Sequence, residues 1–439
     1  MDRKVIKLGI IFIIILLIIT VPRGTGSSSE NTIKIKAFTF GAENTRIDNL
    51  VKASEQLNKK FKAKGQDKRI FVESENHIGS WEKYKKEFID RYNKDQEPDI
   101  YITGHENIAW LAKDGYIYNL NELKEASEYK DVFTTLWKSV KWQDNIWAAI
   151  QDVDVELIFY NKDKLRKLGW SNEEIHDLPE RVLRGEFILE DMTNLAKRAI
   201  NEKICTWGIL HRPTNGQFFY MMAKNFDSYS IEDKQVIFNE NNLKKSLEYF
   251  YDNAQNKKIT PMDNSYKSWN EIYDMVLNDE VLFWYGGSYG MFDLINDGGA
   301  SYDEIMDKFG VMLIPSTKKG EKPITISHPI VYTISNKSKY KNEIIQLLKE
   351  VSKPKYQVNH DIKTYHLPIN KRSAKDKSIK NNEFLNSILY MLDYTTFLPN
   401  NNKYYDYSHI YFKCVQKVEQ GEYTPKEALK HIKIELNKQ

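Results

Sequence analysis

The sequence predicts an α/β protein folded into two lobes, and three observations carry that expectation. Residues 32–112 alternate strand-like and helix-like patterns three times over. A central stretch, Trp142–Asp163, sets Gln151, Asp152 and Asp154 between two short apolar runs. A further strand-rich piece at 309–335 arrives only after a long helical region. At 439 residues the chain exceeds one ordinary core, so two or three domains are expected.

Each element has its own signal. Thr32–Phe38 places Ile33, Ile35 and Ala37 on one face, the period of a strand, and Phe40-Gly41 ends it. Ile47, Leu50, Val51, Leu57 and Phe61 recur at helical spacing and stop near Gly65. Arg69–Glu73 reads as a second strand. Ser80 then caps a helix that turns Trp81, Tyr84, Phe88 and Ile89 inward. Pro98–Thr103 is a third strand, followed by Gly104-His105-Glu106 and another helix. Such alternation marks a mostly parallel sheet flanked by helices, whose ligands bind at the carboxyl ends of the strands. Phe38–Gly41, Ser74–Asn76 and Gly104–Glu106 should therefore share one rim.

In the central stretch, Ile146–Ile150 and Val155–Tyr160 are short and β-branched enough to be buried strands. Carboxylates are rarely buried unless paired. The acids between these runs mark either a surface turn or a crossing between lobes with Asp152 and Asp154 facing a cleft.

Beyond it, Leu189, Met192, Leu195, Ala196 and Ala199 form one helical face, and Leu243, Leu247, Phe250, Tyr251 and Ala254 another. Val281–Trp284 is a strand running into Gly286-Gly287-Ser288-Tyr289. Gly310–Pro315 and Pro329–Ser335 are strands whose late position suits a return to the first sheet. Lys339–Leu348 and the tail are helical, the tail closing with a capping box at Thr424-Pro425-Lys426-Glu427. The expected organisation is an export segment at 1–26, a first N-lobe part at 31–150, a first C-lobe part at 151–308, a return to the N-lobe at 309–338 and a helical C-lobe part at 339–439. Several crossings would make a hinge.

The export segment rests on Arg3, Lys4 and Lys7, an apolar run Leu8–Val21, Pro22, and Gly24 and Gly26 spaced like a cleavage site. Fourteen apolar residues are short for a span of about 20, so a cleaved signal is expected over an anchor, with the remainder extracytoplasmic. Its removal takes four basic residues and one acidic one, which brings the net charge from +3 to 0. A balanced chain gives no electrostatic case for nucleic acid or an anionic membrane as partner. Cys205 and Cys414 allow at most one disulfide and no zinc cluster. No cofactor or metal is expected: H-E-x-x-H and the P-loop are absent, and Gly-Gly-Ser-Tyr lacks the spacing of a dinucleotide loop.

The succession PDIYIT–GHENIAWLAKDGYIYNLNEL, IWAAIQDVDVELIFYNKDKLRKLGW, FNENNLKKSLEYFYDN, VLFWYGGSYG, FGVMLIPS, ISHPIVYTISNKSKYKNEIIQLLKEV, HLPINKRSA and GEYTPKEALKHI resembles the extracellular solute-binding proteins of carbohydrate-uptake ABC transporters, the group that includes maltose-binding protein. The resemblance runs over residues 31–437. It implies a two-lobed, type II periplasmic-binding-protein-like fold with a hinge of crossing strands. It also implies a sugar or polyol held between the lobes and a membrane permease as partner, with the protein a monomer. By the same resemblance Asp154 stands where the family often carries an acidic ligand residue, and Tyr289 stands where a stacking aromatic is common. The lipid-attachment Cys usual in Gram-positive members is missing.

A sugar needs planar polar partners for its hydroxyls and an aromatic for its C–H face. On that chemistry the candidates are Asp152, Asp154 and Glu106, with Phe40, Trp81, Trp207, Trp284 and Tyr289. Ser327, His328 and His366, beside proline turns, complete the set. Paired carboxylates beside aromatics also describe a secreted glycosidase or lyase. Asp152 and Asp154 lie on one strand, which is an unusual source for an opposed acid and base.

Overall fold

The computed structural model describes residues 31–41, 45–232 and 235–437. The segment expected at 1–26 lies outside them. Among the described residues no helix is long and apolar enough to cross a membrane.

The first lobe is built on a five-stranded sheet in the order Arg69–His77, Thr32–Phe40, Ile100–Gly104, Ile330–Ile334, Ala149–Asp152. Alternation along the strands divides their side chains. Ile35, Ala37, Ile70, Val72, Ile100 and Ile102 pack with Ile47, Leu50, Ala53 and Leu57 of the helix Thr45–Ala63. Phe38 and Tyr101 point the other way, onto Tyr84, Phe88 and Leu111. The second lobe carries a four-stranded sheet in the order Phe309–Met312, Glu156–Asn161, Val281–Gly287, Trp207–Leu210.

In each sheet one strand runs against the others. Ile330–Ile334 is antiparallel to both neighbours, and so is Glu156–Asn161. These are the two strands the chain enters directly from the opposite lobe, which is why they start at the hinge end while the rest finish there. The central acids therefore sit in a crossing: Asp152 ends a strand of the first sheet, and Glu156 starts a strand of the second. The carboxyl ends of the remaining strands, at Phe40, Gly104, Leu210 and Gly287, all point to the space between the lobes.

Two expectations about the later chain are corrected. Phe309–Met312 does not return to the first sheet. It pairs with Glu156–Asn161, and the return is made by Ile330–Ile334 alone. Nor is 339–439 wholly second-lobe. The helix Lys341–Val351 lies on Thr45–Ala63, tied to it by Lys60–Glu350 and to the segment just after it by Lys68–Glu343, at 2.6 Å each, and Pro354–Thr364 follows it there. Only the later helices, such as Asn402–Glu419, pack on the second lobe. Apolar periodicity marks a helix but not the lobe its face meets. Cys205 and Cys414 are both free thiols.

Asp152 is fully buried, and Arg46 Nε of the first helix donates to it at 2.7 Å. Burial alone would raise its pKa, but the charges of Arg46, His366 and His360 hold it well below the usual carboxylate range. Arg46→Met should leave that carboxylate without its guanidinium and lower the unfolding free energy by about 3–5 kcal/mol. Denaturant titration checks this, and a loss below about 1 kcal/mol would contradict the pairing.

Candidate functional site

A cleft of about 860 Å³ lies between the lobes. The first lobe lines it with Phe40, Trp81, Glu106 and Trp110, and the second with Arg212, Gln217, Trp269 and Asp406. His328 and Leu398, from segments that pass between the lobes, also border it.

Two tryptophans face the cleft for the same local reason. Ser80 caps the helix Trp81–Asn93, its hydroxyl accepting from the Lys83 N–H. Ser268 caps Trp269–Leu277 and accepts from the Glu271 N–H in a capping box. Each Trp is the first residue of its helix, where the side chain projects beyond the body of the lobe. Trp81 is 41% exposed and stacks on Phe40 with ring centroids 4.0 Å apart. Trp110 is held by its indole N–H donating to Asn107 Oδ1 at 2.8 Å, and Lys85 Nζ lies 4.2 Å from its ring centre. Trp269 stacks on Tyr273, and the Arg212 guanidinium lies 5.5 Å from its ring.

Arg212 is fixed as well. Its Nε donates to the Thr214 carbonyl at 2.9 Å and its Nη1 to Gln217 Oε1 at 3.0 Å. A Cβ at Gly216 would meet the guanidinium carbon at 2.2 Å, so only glycine admits this packing. Across the mouth, Glu82 Oε1 of the first lobe lies 3.7 Å from His409 Nε2 of the second. That pair is solvent-exposed and contributes little to closure by itself.

Beneath the cleft the electrostatics are layered. His328 Nε2 and Glu106 Oε2 are 2.8 Å apart. Burial works against both charges, yet each holds the other ionised, pulling Glu106 down to about 2 and lifting His328 to about 9. The His328 main-chain N–H donates to Asp154 Oδ1 at 2.7 Å. Burial pushes Asp154 up to about 6, opposed by His328. Glu156, the next residue on that face, is pushed to about 8 by burial, against the pull of Arg212 at 3.8 Å. At neutral pH the crossing strand thus alternates an ionised Asp152 with a neutral Glu156.

Of the residues expected at a site, Phe40, Trp81, Glu106 and His328 line the cleft. The others do not. Asp152 is buried against Arg46, and Asp154 lies below the floor as an acceptor for His328. Trp284 is a core residue, 1% exposed and stacked on Phe159 at 4.9 Å. Trp207 starts its strand, at the end away from the hinge, and packs on the core. Tyr289 lies beside Glu156, its hydroxyl 3.4 Å from that carboxyl. Ser327 is buried and accepts from the Thr395 hydroxyl at 2.6 Å. His366 stands 4.0 Å from Asp152, outside the cleft lining.

Trp110, Arg212, Gln217, Trp269 and Asp406 were not anticipated. The repeated Ser-Trp at two helix starts could have pointed to Trp269. Gly286-Gly287-Ser288-Tyr289-Gly290 also carries the G-x-S-x-G spacing of a hydrolase elbow. Ser288 is nevertheless fully buried, bonded to Val155 through its main-chain N–H at 2.9 Å, so it offers no exposed nucleophile.

The family model described as bacterial extracellular solute-binding protein matches residues 48–358. Among solved structures, maltose-bound MalE3 of T. maritima superposes with a TM-score of 0.74 at 19% identity, covering 92% of this chain and 99% of that one. The sugar-binding protein MalE of Xanthomonas citri gives 0.75 at 18%, covering 92% and 97%. The Listeria monocytogenes substrate-binding protein Lmo0181, in complex with cycloalternan, gives 0.72 at 18%, covering 93% and 99%. At these identities the likeness is one of fold. No curated protein matches the sequence.

The Glu106–His328 pair predicts a pH signature. His328 rises from 6.5 to about 9 on folding, so its contribution is complete below 6.5 and is lost as pH climbs through 9. Glu106 falls from 4.5 to about 2, so its contribution is complete above 4.5 and is lost as pH drops towards 2. The stability difference between wild type and His328→Gln should therefore be widest between about pH 4.5 and 6.5 and shrink towards pH 9. A pH-independent difference in denaturant midpoints would contradict the ion pair.

Proposed function

This chain belongs to the bacterial extracellular solute-binding protein family, and from that premise we propose that its solute is a sugar of more than one ring. The protein captures it outside the cytoplasm and presents it to the permease of an ABC transporter. One observation carries this reading: three tryptophans from both lobes, Trp81, Trp110 and Trp269, line a single cleft together with Glu106, Gln217 and Asp406. Aromatic faces take sugar C–H surfaces, and carboxylates and amides take hydroxyls. The volume of about 860 Å³ is near the upper end of the roughly 300–1,000 Å³ usual for small-molecule pockets. It suits an oligosaccharide better than a single ring. Sugars named with the neighbouring structures, maltose and cycloalternan, are of this kind.

The role of each group follows from its environment. Glu106, held ionised by His328, is a charge-assisted acceptor for a hydroxyl. Phe40 backs Trp81 and keeps its ring from turning. Arg212, already tied to Gln217 and Thr214, presents a fixed donor. Walls from two lobes mean that solute contacts are complete only when the lobes approach. The solute then shifts the population towards the closed form in proportion to its differential affinity. Transport without chemistry is the favoured reading. The two carboxyls of the crossing with raised pKa, Asp154 and Glu156, are buried below the floor, where a general acid would not reach a glycosidic oxygen.

Thermal-shift screening against maltose, maltotriose, cyclic oligosaccharides, tagatose and polyols should find an oligosaccharide that raises Tm. With that sugar, Trp81→Ala and Trp269→Ala should each weaken binding by about 2 kcal/mol or more, roughly 30-fold, by calorimetry. Unchanged affinity in both variants would move the site out of the cleft. Hydrolysis of the sugar by the wild-type protein would revive the enzyme alternative.

A further inference from the structure

Away from the cleft lining, a second group of polar side chains meets behind the crossing strand. Asp152 ends that strand, His360 lies on the helix Pro354–Thr364, and His366 follows two residues after its end. One ligand-capable atom from each falls within 4.8 Å of the others. His360 Nε2 is 3.0 Å from Asp152 Oδ2, and His366 Nε2 is 4.0 Å from Asp152 Oδ1. Donors around a tetrahedral ion with bonds of about 2.0–2.1 Å stand roughly 3.3 Å apart. The two separations bracket that value.

The surroundings are unusual for a structural cluster. Asp152, His360 and Asp361 are all fully buried. His360 Nδ1, both oxygens of Asp361 and Oδ1 of Asp152 lack a hydrogen-bond partner, and so do both amide atoms of neighbouring Gln151. Leaving such a group unmatched costs about 1–3 kcal/mol each, and so many in one place is rare in folded proteins. Gln357, His360 and Asp361 recur at three- and four-residue spacing, so one helix face presents them to the strand. The turn that returns His366 holds Tyr365 in the left-handed region at φ 56°, a conformation that costs an aromatic residue roughly 1–2 kcal/mol. The Leu367 N–H then donates to the Val153 carbonyl at 2.7 Å and fixes the turn against the crossing.

We propose that Asp152, His360 and His366 form a binding site for one divalent first-row transition ion of the zinc class. Two imidazoles and a carboxylate suit zinc, nickel or copper, whereas calcium and magnesium take oxygen ligands. Asp361 supplies a further carboxylate next to the ligands, and Arg46 orients Asp152 as its hydrogen-bonding neighbour. Of the three ligands His366 alone keeps some exposure, 12% of its side chain, and offers the route of entry. The ion joins the crossing strand to the helix and turn behind it, at the base of the hinge. It is separate from the sugar-binding reading and does not depend on it.

The test is calorimetric titration of EDTA-dialysed protein with zinc chloride, with calcium chloride as control. Wild type should bind one zinc per chain and gain in Tm, and calcium should give neither. His366→Gln changes a partly exposed side chain and should fold as wild type by circular dichroism while binding zinc at least tenfold more weakly. His360→Gln should do the same. Zinc binding unchanged in both variants would overturn the proposal. So would binding lost in His328→Gln but kept in His366→Gln, because that places the ion at the Glu106–His328 pair instead.

Discussion

The two crossings of the chain are joined where the His328 main-chain N–H donates to the Asp154 carboxyl at 2.7 Å and the Thr325 hydroxyl donates to the Glu156 carbonyl. Much of the molecule depends on this junction. Asp154 sits in the first passage between the sheets, and His328 sits in the second, just before Ile330–Ile334 enters the first sheet. The same histidine turns its ring to Glu106, so the residue that joins the crossings also sets the charge on the cleft floor. Ser327, one residue earlier, is tied to Thr395 in a third passing segment. Segments from three separate passages are thus fixed side by side, the arrangement of a hinge.

The crossing strand shows how one alternation of acids can do three jobs. Asp152, Asp154 and Glu156 share a spacing of two, yet their environments separate them. Asp152 is ionised by Arg46 and two histidines. Asp154 spends its acceptor on a backbone N–H. Glu156 is left neutral beneath Arg212. None of the three reaches the cleft lining. Glu106 does line the cleft, and it is held ionised because a histidine from another passage lies against it.

The α/β alternation and the rim at Phe40 and Glu106 were legible in the sequence, since each rests on local periodicity or on strand ends, whereas local pattern left 152–156 open between a surface turn and a crossing. What could not be read depends on partners far along the chain. Asp152 is buried because Arg46, 106 positions earlier, and His360 meet it there. Phe309–Met312 has the apolar pattern of any strand, and nothing local says that its neighbour is Glu156–Asn161. Trp284 sits in an aromatic run before two glycines and invited a binding role. Gly286 and Gly290 instead allow close packing around its ring in the core. Trp269 was legible in principle, since Ser268-Trp269 repeats the Ser80-Trp81 helix start from the opposite wall.

Capture between the lobes requires that solute draw the two lobes together. Small-angle scattering of the protein, with and without the oligosaccharide that most raises its Tm, measures this directly. Saturation is verified on the same sample by calorimetry. A smaller radius of gyration in the bound state is the predicted result. An unchanged radius at verified saturation would contradict capture between the lobes.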